Sequence, residues 1–95
     1  MIQEINILPN NIIIKEEKKG LFKSKENTLK IDIDSIDKIE KIKQNNEIIG
    51  IVFWNENDVI YAIGIKNYEK DLEELLNKIL VNINEDKVEI VETEL

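Results

Sequence analysis

Residues 46–65 constrain the fold more than any other stretch. Two apolar runs, Ile48 to Trp54 and Val59 to Ile65, flank the polar Asn55-Glu56-Asn57-Asp58. Short runs rich in β-branched and aromatic residues around a polar break read as a β-hairpin. Asn55, Asn57 and Asp58 tolerate left-handed backbone and suit a tight loop. A two-residue loop centred on Glu56-Asn57 or on Asn57-Asp58 gives the same faces. One face carries Ile48, Gly50, Val52, Trp54, Val59, Tyr61, Ile63 and Ile65. The other carries Ile49, Ile51, Phe53, Ile60, Ala62 and Gly64. Both are apolar, whereas a hairpin with one wet face alternates apolar with polar. The richer face, with Val52, Trp54, Tyr61 and Ile63, is expected inside. Ile49, Ile51, Phe53 and Ile60 then point outward as a patch too large to leave in water. Its expected cover is the 86–95 tail or a second copy of the chain, with a C2 homodimer favoured.

The rest of the chain supplies strands before this hairpin and a helix after it. Ile2 to Leu8, a turn at Pro9-Asn10-Asn11, and a strand from Ile12-Ile13-Ile14 open it. Lys18-Lys19-Gly20 reads as the next turn, with Gly20 left-handed, and Leu21 to Lys25 as the returning strand. Thr28 to Asp34 alternates, with Leu29, Ile31 and Ile33 facing in. Ile36, Ile39 and Ile42 recur every three residues, which fits a short helical turn capped by Ser35 or a bulged strand. Tyr68, Leu72, Leu75, Leu76, Ile79 and Ile83 form one apolar helical stripe, predicting a helix over 67–83 capped by Asn67. The expectation is one mainly β domain over 1–95, an antiparallel sheet of about six or seven strands closed by one helix, with 84–95 as an acidic tail or extra strand.

Composition excludes several chemistries. The 95 residues carry 13 basic groups, all Lys, against 20 acids, a net charge of -7. That balance argues against generic nucleic-acid binding. With no Cys and no His there is no thiolate, and the few hydroxyls have no imidazole to activate them. Asp32, Asp34 and Asp37 resemble a calcium loop only at its first positions; Lys43 stands where the bidentate Glu belongs. No catalytic residue, metal ligand or cofactor is assigned, and a non-enzymatic chain is expected. Met1-Ile2-Gln3-Glu4 lacks the basic start and apolar run of a secretory signal, so a cytoplasmic location is expected.

Asn11-Ile12-Ile13-Ile14-Lys15, the basic turn with Gly20-Leu21-Phe22, Ile31 to Ile39, the late hairpin, and Lys66-Asn67-Tyr68 before the helix together resemble the bacterial pleckstrin-homology-like domains. The resemblance covers roughly residues 2–83. It implies a bent, nearly closed barrel plugged by the helix, and a binding or scaffolding role without shared catalytic residues.

One charge cluster remains. Residues 15–30 hold Lys15, Lys18, Lys19, Lys23, Lys25 and Lys30 against Glu16, Glu17 and Glu26, a net of +3, while the remaining chain holds 7 Lys against 17 acids. The resemblance implies an anion or lipid grip at Lys15, Lys18, Lys19, Lys23 and Lys25. Lysine point charges with interleaved Glu also describe a solvated, partly self-neutralised hairpin, and that reading takes precedence. A protein partner, or self-association, is therefore the leading expectation. A small acidic inhibitor masking a basic surface is the alternative, and a weak anionic-lipid binder the second alternative.

Overall fold

Alternating isoleucines at the start of the chain build a three-stranded meander. The computed structural model describes the backbone of residues 1–95 and every side chain but that of Ser24. Strand β1 (Ile2–Ile7) pairs antiparallel with β2 (Asn11–Lys19), and β2 with β3 (Ser24–Asp32). Ile12 faces Ile31 across the ladder, and Ile14 faces Leu29. Ile2, Ile12, Ile14 and Ile31 are buried, while Leu29, expected inside, is 37% exposed.

A single 3-10 turn at Ile33–Ser35 then redirects the chain. Its cap is Asp32, whose carboxylate accepts the Asp34 N–H at 3.0 Å; Ser35 instead donates to the Asp32 carbonyl at 2.6 Å. The ambiguous stretch after Ser35 is strand, β4 (Lys38–Gln44). Asn45 and Asn46 both take positive φ, 53° and 67°, the signature of a two-residue primed turn into β5 (Glu47–Asn55). A second two-residue loop, Glu56-Asn57, leads to β6 (Asp58–Gly64). Its left-handed residue is Glu56, at φ 56°, rather than a neighbouring Asn, and its N–H is held by Asp37 Oδ2 at 2.6 Å.

The hairpin has the expected strands but not the expected faces. Phe53 lies opposite Tyr61 and Trp54 opposite Val59, so Ile60 is an extra residue in β6, a β-bulge. The bulge moves β6 by one position relative to β5, and a one-residue slip turns every side chain beyond it to the other face. Ile51 and Phe53 therefore share a face with Tyr61 and Ile63. Ile51 and Phe53 are completely buried and Ile63 is 1% exposed. Ile60 and Tyr61 each pack against the core at its margin, and a second irregularity between Ile42 and Lys43 brings Ile48 there too. Trp54 is half-buried on the opposite face. The outward patch of Ile49, Ile51, Phe53 and Ile60 does not exist, and with it goes the basis for a dimer through those residues.

Helix α1 spans Leu72–Val81, shorter than 67–83. Asp71 caps it, accepting from the N–H groups of Glu73 at 2.9 Å and Glu74 at 3.3 Å. Asn67 is engaged elsewhere: its side chain accepts the Gly64 N–H at 2.7 Å and donates to the Ala62 carbonyl at 3.3 Å. The apolar stripe is buried as read, at Leu72, Leu75, Leu76 and Ile79. Glu73 and Glu74 in the first turn and Lys78 in the last complement the helix dipole.

The acidic tail is a strand. β7 (Glu89–Glu94) runs parallel to β4, from Glu89 opposite Lys38 to Glu94 opposite Lys43, giving a four-stranded sheet ordered β6-β5-β4-β7. Lys41 and Lys43 each approach Glu92 at 3.5 Å. The two sheets and the helix enclose one cluster of buried isoleucines, leucines and Phe53. Among the described residues the sheets do not join into a closed barrel. No helix is long and apolar enough to cross a membrane.

Candidate binding surface at the hairpin tip

The β2–β3 hairpin extends beyond the rest of its sheet. β1 accompanies β2 only to the Ile2–Glu16 pair, extended by backbone hydrogen bonds between Met1 and Glu17. From Lys18 onward the hairpin is a two-stranded finger, with Lys18 opposite Lys25 and Lys19 opposite Ser24. At its end the Gly20 N–H donates to the Lys23 carbonyl at 3.0 Å. Gly20 is not left-handed; the turn needs glycine because an added Cβ would meet the Lys23 oxygen at 2.8 Å.

Leu21 and Phe22 occupy the tip and are 96% and 99% exposed. A large side chain left wholly in water forgoes roughly 1.5–3 kcal/mol of burial. Scattered exposed hydrophobics are ordinary, but two adjacent ones at the end of a finger form a concentrated apolar feature.

Charge is layered along the finger rather than paired across it. Residues 18–25 hold four lysines and no acid, against -7 for the whole chain, so the rest of the molecule carries -11. Lys18 faces Lys25, and one step further back Glu17 faces Glu26. Like charges directly opposite each other are destabilising in a ladder. Two of the three Glu residues behind the lysines are engaged with their own chain. Glu16 accepts the Tyr61 hydroxyl, and Glu17 accepts the Gln3 amide. Burial first, and then that bond to Glu16, raise the Tyr61 phenol well above its ordinary pKa, so it stays a donor.

Of the candidate anion-site residues, the structure therefore brings together Lys18, Lys19, Lys23 and Lys25 around the tip. Lys15 lies further down, paired with Glu4 at 3.4 Å. The hydrogen bond from Asn6, and then Lys15, hold the Glu4 carboxyl below its usual range. Of the candidate interface residues, Ile51 and Phe53 are core, Ile60 packs against it, and Ile49 is half-buried. Leu21 and Phe22 were not singled out as site residues. Their signal was available: an apolar pair between lysines, directly after the glycine of a turn, where no core can receive it.

The acids that resemble a calcium loop do local structural work, Asp32 as a cap and Asp37 as acceptor for Glu56. The outer face of the second sheet is likewise self-engaged. Lys38 Nζ sits 4.5 Å from the Trp54 ring centre, Trp54 Nε1 donates to Glu40 at 3.2 Å, and Thr93 donates to the same carboxylate at 2.6 Å.

Comparison with known proteins yields no match to a family model, to a curated protein or to a solved structure.

Proposed function

We propose that the chain is a cytoplasmic, non-enzymatic binding module of pleckstrin-homology-like type that engages its partner through the end of the β2–β3 finger. One observation carries the reading: Leu21 and Phe22 stand fully in water, ringed by lysines, on a finger that the core does not need. The order of strands, hairpin and helix supports the resemblance to that family, while the parallel β7 departs from it. The acidic-inhibitor alternative draws on the negative remainder of the chain. Several of those acids are already engaged: Glu92 with Lys41 and Lys43, Glu40 with Trp54 and Thr93.

The test is photocrosslinking in cells with p-benzoylphenylalanine placed at Phe22, and at the exposed helix position Asn77 as control. The expected result is an adduct, to protein or lipid, from position 22 and none from position 77. Equal labelling from both positions, or none from either, removes the tip as the binding surface.

A further inference from the structure

We infer that the chain forms a C2 dimer by pairing the free edge of β3 antiparallel with β3 of a second copy, joining two three-stranded sheets into one. β3 is an outer strand, nine residues long, with no proline and no bulge in its ladder with β2. The Gly20 N–H donates to the Lys23 carbonyl, and hydrogen-bonded pairs alternate along the ladder from there. Lys25, Asn27, Leu29 and Ile31 therefore bond to β2, while the N–H and C=O groups of Glu26, Thr28 and Lys30 point away from it. Among the described residues no other segment bonds those groups. A long unpaired edge is a template for another strand. The other outer strands are less available. At β1 the Ile2 N–H donates to the Asn67 carbonyl at 2.7 Å. β6 is bulged, and the Asn67 side chain bonds its Ala62 carbonyl and Gly64 N–H. β7 has three glutamates in six residues, so a copy would meet like charge.

The charges on the edge select the occupant and the register. From Lys25 to Asp32 the strand holds two lysines and two acids, a neutral edge on a chain of -7. Glu26, Thr28 and Lys30 are exposed, and neither Glu26 nor Lys30 forms an ion pair among the described residues. The two stand about 13 Å apart along their own strand, too far to meet. Glu26 instead faces Glu17 across the ladder. Only outward groups can exchange hydrogen bonds between copies, so even-numbered residues must lie opposite even-numbered ones. Pairing centred on Glu26 or Lys30 sets like charges opposite each other, which destabilises a ladder. Centred on Leu29 it sets Glu26 against Asp32, and centred on Asn27 it sets Glu26 against Thr28. Centred on Thr28 it sets Glu26 against Lys30 of the second copy, twice by symmetry, with Thr28 opposite itself. Leu29, 37% exposed, then lies opposite Asn27 of the second copy. The two fingers point to opposite ends, leaving Leu21 and Phe22 outside the pairing. The interface shares no residue with the β5–β6 hairpin and does not rest on the tip.

The test is sedimentation equilibrium of the full chain over a wide range of concentration, and the expected result is a monomer–dimer equilibrium. Glu26→Lys and Lys30→Glu should each weaken dimerisation roughly tenfold or more, because each sets like charges opposite twice. The two substitutions together should restore the dimer. Thr28→Pro removes an edge donor that β2 does not use, and should give a monomer with unchanged circular dichroism. Amide exchange should slow at Glu26, Thr28 and Lys30 as concentration rises. A chain that is monomeric at every concentration overturns the inference. So does a dimer that the single reversals leave intact, that the double reversal fails to restore, or whose protection appears on another strand. Crosslinking from position 22 reports on the tip separately, so either reading can fail without the other.

Discussion

Phe53 and Tyr61 show how much turns on one residue of register. Without the bulge at Ile60, Phe53 faces outward and Phe53→Glu yields a folded monomer. With it, Phe53 has no exposed surface, and the same substitution buries an unpaired carboxylate. Phe53→Ala should cost about 3–5 kcal/mol in urea melts, a large share of the stability of a small domain. Phe53→Glu should leave the chain unfolded by circular dichroism; a cooperative, monomeric Phe53→Glu protein would return the residue to the surface. Tyr61 makes a pH prediction. Its pKa is raised in the fold by burial and by Glu16, and Tyr68 is shifted the same way by burial. The contribution is therefore fully present below the unfolded value of about 10 and lost as pH climbs above it. The stability gap between wild type and Tyr61→Phe should narrow between neutral pH and pH 11. A gap that widens over that interval contradicts the assigned hydrogen bond.

Elements were legible in the sequence wherever one periodicity ran unbroken. The stripe Leu72, Leu75, Leu76, Ile79 names the buried helix face directly, and of the alternating Leu29, Ile31 and Ile33 the last two are buried and Leu29 is not. Boundaries were less legible, because several polar residues could cap. Asn67 and Asp71 are both good caps by type, and only the structure shows Asn67 bound to Gly64 and Ala62. Asp71→Ala should accordingly lower stability by about 1 kcal/mol and reduce helical signal in the melting baseline. Asn67→Ala should affect the β6–α1 loop and leave the helix amides' hydrogen-exchange protection unchanged; lost protection at Glu73 and Glu74 in Asn67→Ala would reverse the assignment. Bulges left no trace in composition, since an inserted Ile in an Ile-rich strand looks like any other. An extra strand was one reading of 84–95, but its parallel pairing with β4 was hidden: register between strands about 50 residues apart is not written in local pattern. The candidate site was half legible. The lysines were visible, but judging them self-neutralised took the Glu residues as their partners. The structure places those acids behind the lysines, two of them held by Tyr61 and Gln3.

At the scale of the molecule the chain has a closed end and an open one. Two sheets and a helix share one core, and the C-terminal strand consolidates the edge of the second sheet through Glu92 and its lysines. The finger projects from this body with positive charge at its end and negative charge behind it. On the proposed reading stability and binding lie in separate regions, so tip substitutions should change affinity alone. The direct measurement is photocrosslinking in cells from p-benzoylphenylalanine at position 22 of the finger, with position 77 of the helix as control. An adduct from position 22 and none from position 77 is predicted. Equal labelling from both positions, or none from either, would contradict the finger as the proposed binding end.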